Sequence, residues 1–376
     1  DGANSVGVPG GVFDRAIAYG SSQSGRLLRS FLYDGFNGDT KQRKVFDGVL
    51  AHIGGAARGS FNQRFAQPSR APGGAYEYPN RIFPFSDEAQ TDPATGTQDG
   101  LLAHIAPGTM PKIFYTNSST EYWRSIGAMT HVSIDGKADL ELLDNVRTYH
   151  FAGTQHTPAS FPSRTSAGDR QPNPNDYSWL LRSLLVEMDR WVVGDETPPE
   201  NRYSTLAAGT LVPYEDFAFP AIPGVDTLAE VSTARALNFG SKLAADGIIT
   251  QEPPTLGITY PFLVPQVDRD GNEIDGLRLP EIEVPLATHT GWSSPNPVSG
   301  VGVYAPFPRT AAERVAESDP RLSIEERYTD RAAYIGQVAE AAIKLIDGGY
   351  LLGEDLPSIL EIAGRRWDHQ MSDGAN

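Results

Sequence analysis

A short apolar run, Ala16-Ile17-Ala18-Tyr19, ends in Gly20-Ser21-Ser22-Gln23-Ser24-Gly25-Arg26. A serine flanked by small residues at such a break can sit at the apex of a sharp strand-to-helix turn, with its hydroxyl presented to an acyl carbonyl. The turn requires small residues two before and two after the nucleophile, so that strand and helix can approach. Centred on Ser22 these are Gly20 and Ser24; centred on Ser24 the second is Arg26, which the crossing disfavours. Ser22 is the candidate nucleophile, and an ordinary polar turn is the alternative for the segment.

A serine nucleophile needs a base and a group that orients the base. The candidate base is His156, in Gly153-Thr-Gln-His156; His150, inside an apolar run, reads as a core histidine, and His131 as an exposed loop residue. The candidate carboxylate is Glu121, in Asn117-Ser-Ser-Thr-Glu121-Tyr-Trp123, with Asp135, Asp139 and Asp144 in reserve; a solvated loop acid is the alternative for Glu121. The backbone N–H of Gln23, next to the nucleophile, is the candidate oxyanion donor. Arg58, Arg64 and Arg70 either meet an acidic substrate group or pair with surface carboxylates, and Arg64 and Trp123 are the candidate substrate-binding side chains.

The elements that must position these groups read as alternating strands and helices. Strands are expected over 16–20, 45–53, 112–116 and 146–152. After Gly25, Leu27, Leu28, Phe31 and Leu32 share one face of a helix that stops near Gly35 and Gly38. A longer helix over 177–193 would bury Leu181, Leu184, Leu185, Met188, Trp191 and Val192. This alternation argues for a mostly parallel α/β sheet flanked by helices, with the three polar groups just past the carboxyl ends of three strands. Their chain order, serine then acid then histidine, is the order found in α/β-hydrolases.

The segment 68–111, polar and proline-rich with Tyr76, Tyr78, Phe83 and Phe85, reads as an insertion that caps the site or as a surface excursion. Residues 205–300 hold short β-like runs, and helices return after Thr310 with capping boxes at Thr310/Glu313 and Ser323/Glu326. Ile335, Val338, Ala342 and Leu345 mark a helix over 331–347. The expected organisation is a catalytic core over 1–200 and a mixed extension over 201–376 packed on it. Asp268-Arg-Asp-Gly-Asn-Glu-Ile-Asp275 alternates oxygen ligands as a calcium loop does, but its glycine comes early and Leu279 stands where the closing glutamate belongs, so a hairpin turn is favoured.

These stretches together resemble the family of large α/β-hydrolase domains in which a Gly-Ser-Ser-Gln-Ser-Gly-Arg elbow precedes a helix ending in Gly-Phe-Asn, here Gly35-Phe36-Asn37. Similar stretches run through Val45-Phe-Asp-Gly-Val49, Phe61 to Pro68, Asn117 to Trp123, Phe151 to His156, Asp268 to Glu273, Gly291-Trp292 and Asp319 to Tyr328. The one departure is Ser293, where the resemblance leads one to expect asparagine. The resemblance implies an α/β-hydrolase fold with Ser22, Glu121 and His156 at the triad positions; the chemistry of such a triad leads one to expect a small-molecule ester substrate and requires no metal or organic cofactor. In that fold several strands precede the nucleophile, whereas 21 residues precede Ser22 here. That reads as a core lacking its amino-terminal strands, with one oxyanion donor absent.

Composition sets the remaining bounds. The chain has 376 residues, 39% of them hydrophobic, enough for a large core. A formal net charge of −16 opposes binding to nucleic acid or anionic membranes. No run approaches the roughly 18 apolar residues of a membrane span. Zero cysteines exclude disulfides, a catalytic thiol and a thiolate metal site, and leave the compartment open between cytoplasm, periplasm and exterior. Carboxylic ester hydrolysis is the expected reaction. Amide, lactone and thioester substrates, acyl transfer to another acceptor, and a non-catalytic binding scaffold are the alternatives.

Overall fold

The computed structural model describes residues 13–59, 61, 64, 81–162, 171–228, 231, 233–295 and 300–372. At its centre four parallel strands, β1 (Ile17–Ser21), β2 (Gly48–His52), β3 (Lys112–Ser118) and β4 (Val146–Phe151), lie side by side in chain order. Their register aligns Ser21 with His52, His52 with Thr116 and Ser118 with Phe151, so the carboxyl ends form one rim. The α/β class expected from the sequence is the class observed.

Both sheet faces are covered, which is why these strands read as continuous apolar runs. Val49, Ala51, Ile113 and Tyr115 point to one face, where they meet Leu32 and the flanking Leu28 and Phe31 of α1 (Gln23–Tyr33). Leu50, Phe114, Tyr149 and Phe151 point to the other. There they pack on α3 (Ser178–Gly194) through Leu180, Leu184, Met188 and Trp191. Between these helices in the chain comes the short α2 (Ser119–Arg124). Beyond α3, Val338 and Ala342 of α4 (Arg331–Asp347) and Ile359, Ala363 and Trp367 of α5 (Leu356–Gln370) join the same hydrophobic cluster. Segments before and after residue 200 thus share a core. The later part also extends the sheet rim: His150 donates its N–H to the Arg202 carbonyl, and Leu277 donates to the His150 carbonyl, both at 2.7 Å. On the opposite side β1 has no strand partner among the described residues.

Four expectations are corrected. Leu27 is 45% exposed and Leu185 is 49% exposed. On α1 the buried side is taken by Arg29, whose guanidinium donates to the Ala56 and Phe85 carbonyls, and on α3 by Leu180. Within the 68–111 insertion, residues 68–80 lie outside the described residues, as does Arg70. In the remainder, Leu101, Leu102 and Ile105 pack with Leu32, Val49 and Ile113, so its carboxyl-terminal part joins the core. His131 is fully buried rather than exposed, and its Nε2 shares a hydrogen bond of 3.0 Å with the Tyr122 hydroxyl.

The Thr310 hydroxyl accepts the Glu313 N–H, and Ser323 and Glu326 form a reciprocal capping box, as their spacing requires. Asp268 accepts the N–H groups of Asp270 and Asn272 while Asp270 pairs with Arg327, which makes the 268–275 stretch a tied turn. No helix among the described residues is long and apolar enough to cross a membrane.

Candidate active site

Three connections at the carboxyl rim build the site. The first is the turn from β1 into α1. Ser22 adopts φ 56°, ψ −116°, outside the helical and extended regions, and donates its N–H to the His52 carbonyl of β2 at 2.9 Å. A non-glycine residue at positive φ is strained, and a strand-helix elbow is one place where a fold sustains such strain. Crowding explains the surrounding sequence. A Cβ on Gly20 would come within 2.5 Å of the Ser24 carbonyl oxygen, and one on Gly25 within 2.6 Å of the His52 carbonyl oxygen. On the helix side the residue with no room for a side chain is therefore Gly25, three residues past Ser22, while Ser24 meets Gly20 through its backbone and is itself exposed.

The second connection runs from β3 into α2. Ser118 caps α2 and Glu121 occupies the third helical position, forming a capping box. One carboxylate oxygen of Glu121 accepts both the N–H and the hydroxyl of Ser118. That leaves the other oxygen aimed at His156, whose Nδ1 lies 2.7 Å away. The helix cap and the orientation of the histidine thus use the two halves of one buried carboxylate.

The third connection follows β4. Gly153 turns at φ 63°, where a Cβ would meet Ile282 at 2.3 Å, and the chain continues to His156. The loop is tied down on several sides. Gly153 donates to Glu273, Thr154 donates to the Ser119 hydroxyl, and the His156 carbonyl accepts the Tyr177 hydroxyl. His156 Nε2 stands 2.9 Å from Ser22 Oγ. Hydrogen bonds therefore run without a break from Ser22 through His156 to Glu121, with His156 partly open to solvent and Glu121 fully buried.

Burial by itself would raise the Glu121 carboxyl. The His156 charge, the hydrogen bonds from His156 and Ser118, and the Arg124 charge outweigh it and hold the group below its usual value. His52, under the elbow, is lowered to about 4, chiefly by burial and further by the His156 charge, against the pull of Glu121.

The other residues singled out in the sequence lie elsewhere. Trp123 is 1% exposed and packs among Tyr214, Phe217, Phe262 and Trp292, so its assignment to substrate binding is corrected to a core role. Arg64 pairs its backbone with the 247–249 segment and its side chain is exposed. Arg58 is buried and donates to the Phe83 carbonyl over the Tyr33 ring. Asp139 accepts the N–H groups of Leu206 and Ala207, and Asp135 that of Lys137. Sequence reasoning missed Ser119, Tyr177 and Glu273 as supports. The Ser-x-x-Glu spacing of Ser118 and Glu121 was the readable signal for the cap.

A family model described as an alpha/beta hydrolase domain matches residues 3–361. No curated protein and no solved structure matches the chain. On the family match, together with the parallel sheet and its elbow, the chain belongs to the α/β-hydrolase domain family.

Proposed function

We propose that this hydrolase cleaves carboxylic esters through an acyl-enzyme on Ser22. The observation that carries the reading is the hydrogen-bonded series Ser22 Oγ to His156 Nε2 at 2.9 Å and His156 Nδ1 to Glu121 Oε1 at 2.7 Å. His156 takes the Ser22 proton as Oγ attacks the ester carbonyl. Glu121 holds the imidazole with its proton on Nδ1 and stabilises the imidazolium as it forms. The N–H of Gln23, at the start of α1, faces the negative charge that develops on the carbonyl oxygen. His156 then returns the proton to the departing alcohol, and a water activated by the same base hydrolyses the acyl-enzyme. Each step is a proton or acyl transfer that the three side chains can balance among themselves.

The test is labelling with a fluorophosphonate probe, with the adduct located by peptide mass mapping and a Ser22→Ala control. An adduct on Ser22 that the control abolishes, followed by turnover of simple esters, is the expected result. A folded protein that neither labels nor turns over any ester would make the constellation a binding scaffold.

A further inference from the structure

Two arginines flank the triad without a counter-charge of their own. Arg26 lies one helical turn after Ser22 on α1, its N–H donating to the Ser22 carbonyl at 3.0 Å. Its side chain is largely buried, and its Nε is out of contact with solvent and has no hydrogen-bond partner. Arg124 closes α2, three residues after Glu121. Its Nη1 lies 2.8 Å from the point that a Cβ on Gly300 would occupy, and the His156 Cβ lies 3.3 Å from that same point. The Arg124 guanidinium and the stem of the base therefore border the same small space beside Gly300.

Among the described residues neither guanidinium makes a hydrogen bond or an ion pair. Other buried arginines differ in this respect. Arg29 and Arg58 donate to backbone carbonyls, and Arg321 and Arg327 pair with Asp319 and Asp270. Burial lowers the pKa of Arg26, and the nearby Arg124 charge lowers it further, opposed by Glu121. Glu121 already serves Ser118 and His156 through both oxygens. The immediate surroundings of the triad thus hold two cations against one committed carboxylate, in a chain whose formal net charge is −16. Like charges drawn together in a partly desolvated place need an anion, and a guanidinium fork matches a carboxylate.

We propose that Arg26 and Arg124 form an anion subsite beside Ser22 and His156, and that the substrate is an ester bearing a free carboxylate, such as a half-ester of a dicarboxylic acid. The inference rests on the ester-hydrolase reading for its chemistry, but the subsite itself is a binding property. Holding the carboxylate at the arginines fixes the scissile carbonyl over Ser22, so remote binding energy serves orientation.

The experiment measures calorimetric affinity of the Ser22→Ala protein for monoethyl succinate and for diethyl succinate, then repeats both with Arg26→Gln or Arg124→Gln added. The half-ester should bind about tenfold or more tightly than the diester, and each arginine substitution should reduce that ratio about tenfold. Arg124→Lys, which keeps the charge and loses the fork, should keep part of it. Equal affinity for the two esters in the Ser22→Ala protein overturns the subsite without any need for the arginine variants to fold. So does a preference that survives both substitutions. Equal kcat/KM of the unmodified protein on the two esters would sink the subsite and leave the hydrolase reading standing. Charge-selective binding without turnover or probe labelling would sink the hydrolase reading and keep the subsite.

Discussion

Glu273 accepts the Gly153 N–H at 2.7 Å, and the same carboxylate oxygen accepts the Ser119 hydroxyl at 2.6 Å. Ser119 begins the helix that carries Glu121, and Gly153 begins the loop that carries His156. One carboxylate from the later part of the chain thus pins both supports of the histidine–acid pair. His150 Nε2 lies 3.2 Å from the same oxygen, but its direction does not make a hydrogen bond.

Glu273→Gln keeps one carbonyl oxygen for the two donors but removes the negative charge, and Glu273→Ala keeps no acceptor. The rate of fluorophosphonate labelling at Ser22 should fall in that order, about tenfold for glutamine and a hundredfold for alanine, as expected when an outer support of a reactive site is removed. Circular dichroism checks that each variant is folded. Equal labelling rates in folded variants would show that Glu273 stabilises the chain without positioning His156.

The elbow offers a second prediction, because the motif reading and the structure assign the helix-side need for a small residue to different positions. An alanine at Gly25 gains up to about 1 kcal/mol in helix propensity. It must also place a Cβ 2.6 Å from the His52 carbonyl oxygen, where both sides are backbone. Overpacking of this kind costs about 1–3 kcal/mol, so the clash wins. Gly25→Ala should lower stability in urea unfolding and slow labelling of Ser22, whereas Ser24→Ala, at an exposed side chain, should stay within about 0.5 kcal/mol. A Ser24→Ala loss larger than that of Gly25→Ala would restore the motif's own assignment.

Much of the frame was readable because parallel strands buried on both faces leave apolar runs, and because capping boxes and the elbow are local devices. The helices at 331–347 and after Ser22 follow from spacing alone. What escaped the sequence depends on contacts distant in the chain. Leu185 is exposed and Leu180 buried because the way α3 lies on the central sheet, set by residues far away in the chain, fixes which of its sides faces the core. Arg29 enters the core because carbonyls at Ala56 and Phe85 receive it. Glu273 lies 120 residues from Gly153 in the chain, and nothing in its own neighbourhood signals that partner.

Buried histidines supply the last prediction. Burial lowers His52 to about 4 and His131 to about 3, and holds His289 well below its usual value. An unfolded chain protonates these groups near pH 6.5. Between pH 6.5 and about 4 the unfolded state therefore binds more protons, and stability falls as the pH falls, by about 2 kcal/mol at pH 5 for each of His52 and His131. Asp87 works the other way: burial raises it to about 6, so it takes up a proton while folded before it would unfolded, returning about 1 kcal/mol between pH 7.5 and 5. Glu121, held below its usual value, loses its stabilising effect only below that window. From His52, His131 and Asp87 together the net loss from pH 7.5 to 5.0 should be on the order of 3 kcal/mol by urea unfolding, and His289 acts in the same direction. Equal stability at the two pH values would mean that these histidines gain protons, or solvent, in the folded protein.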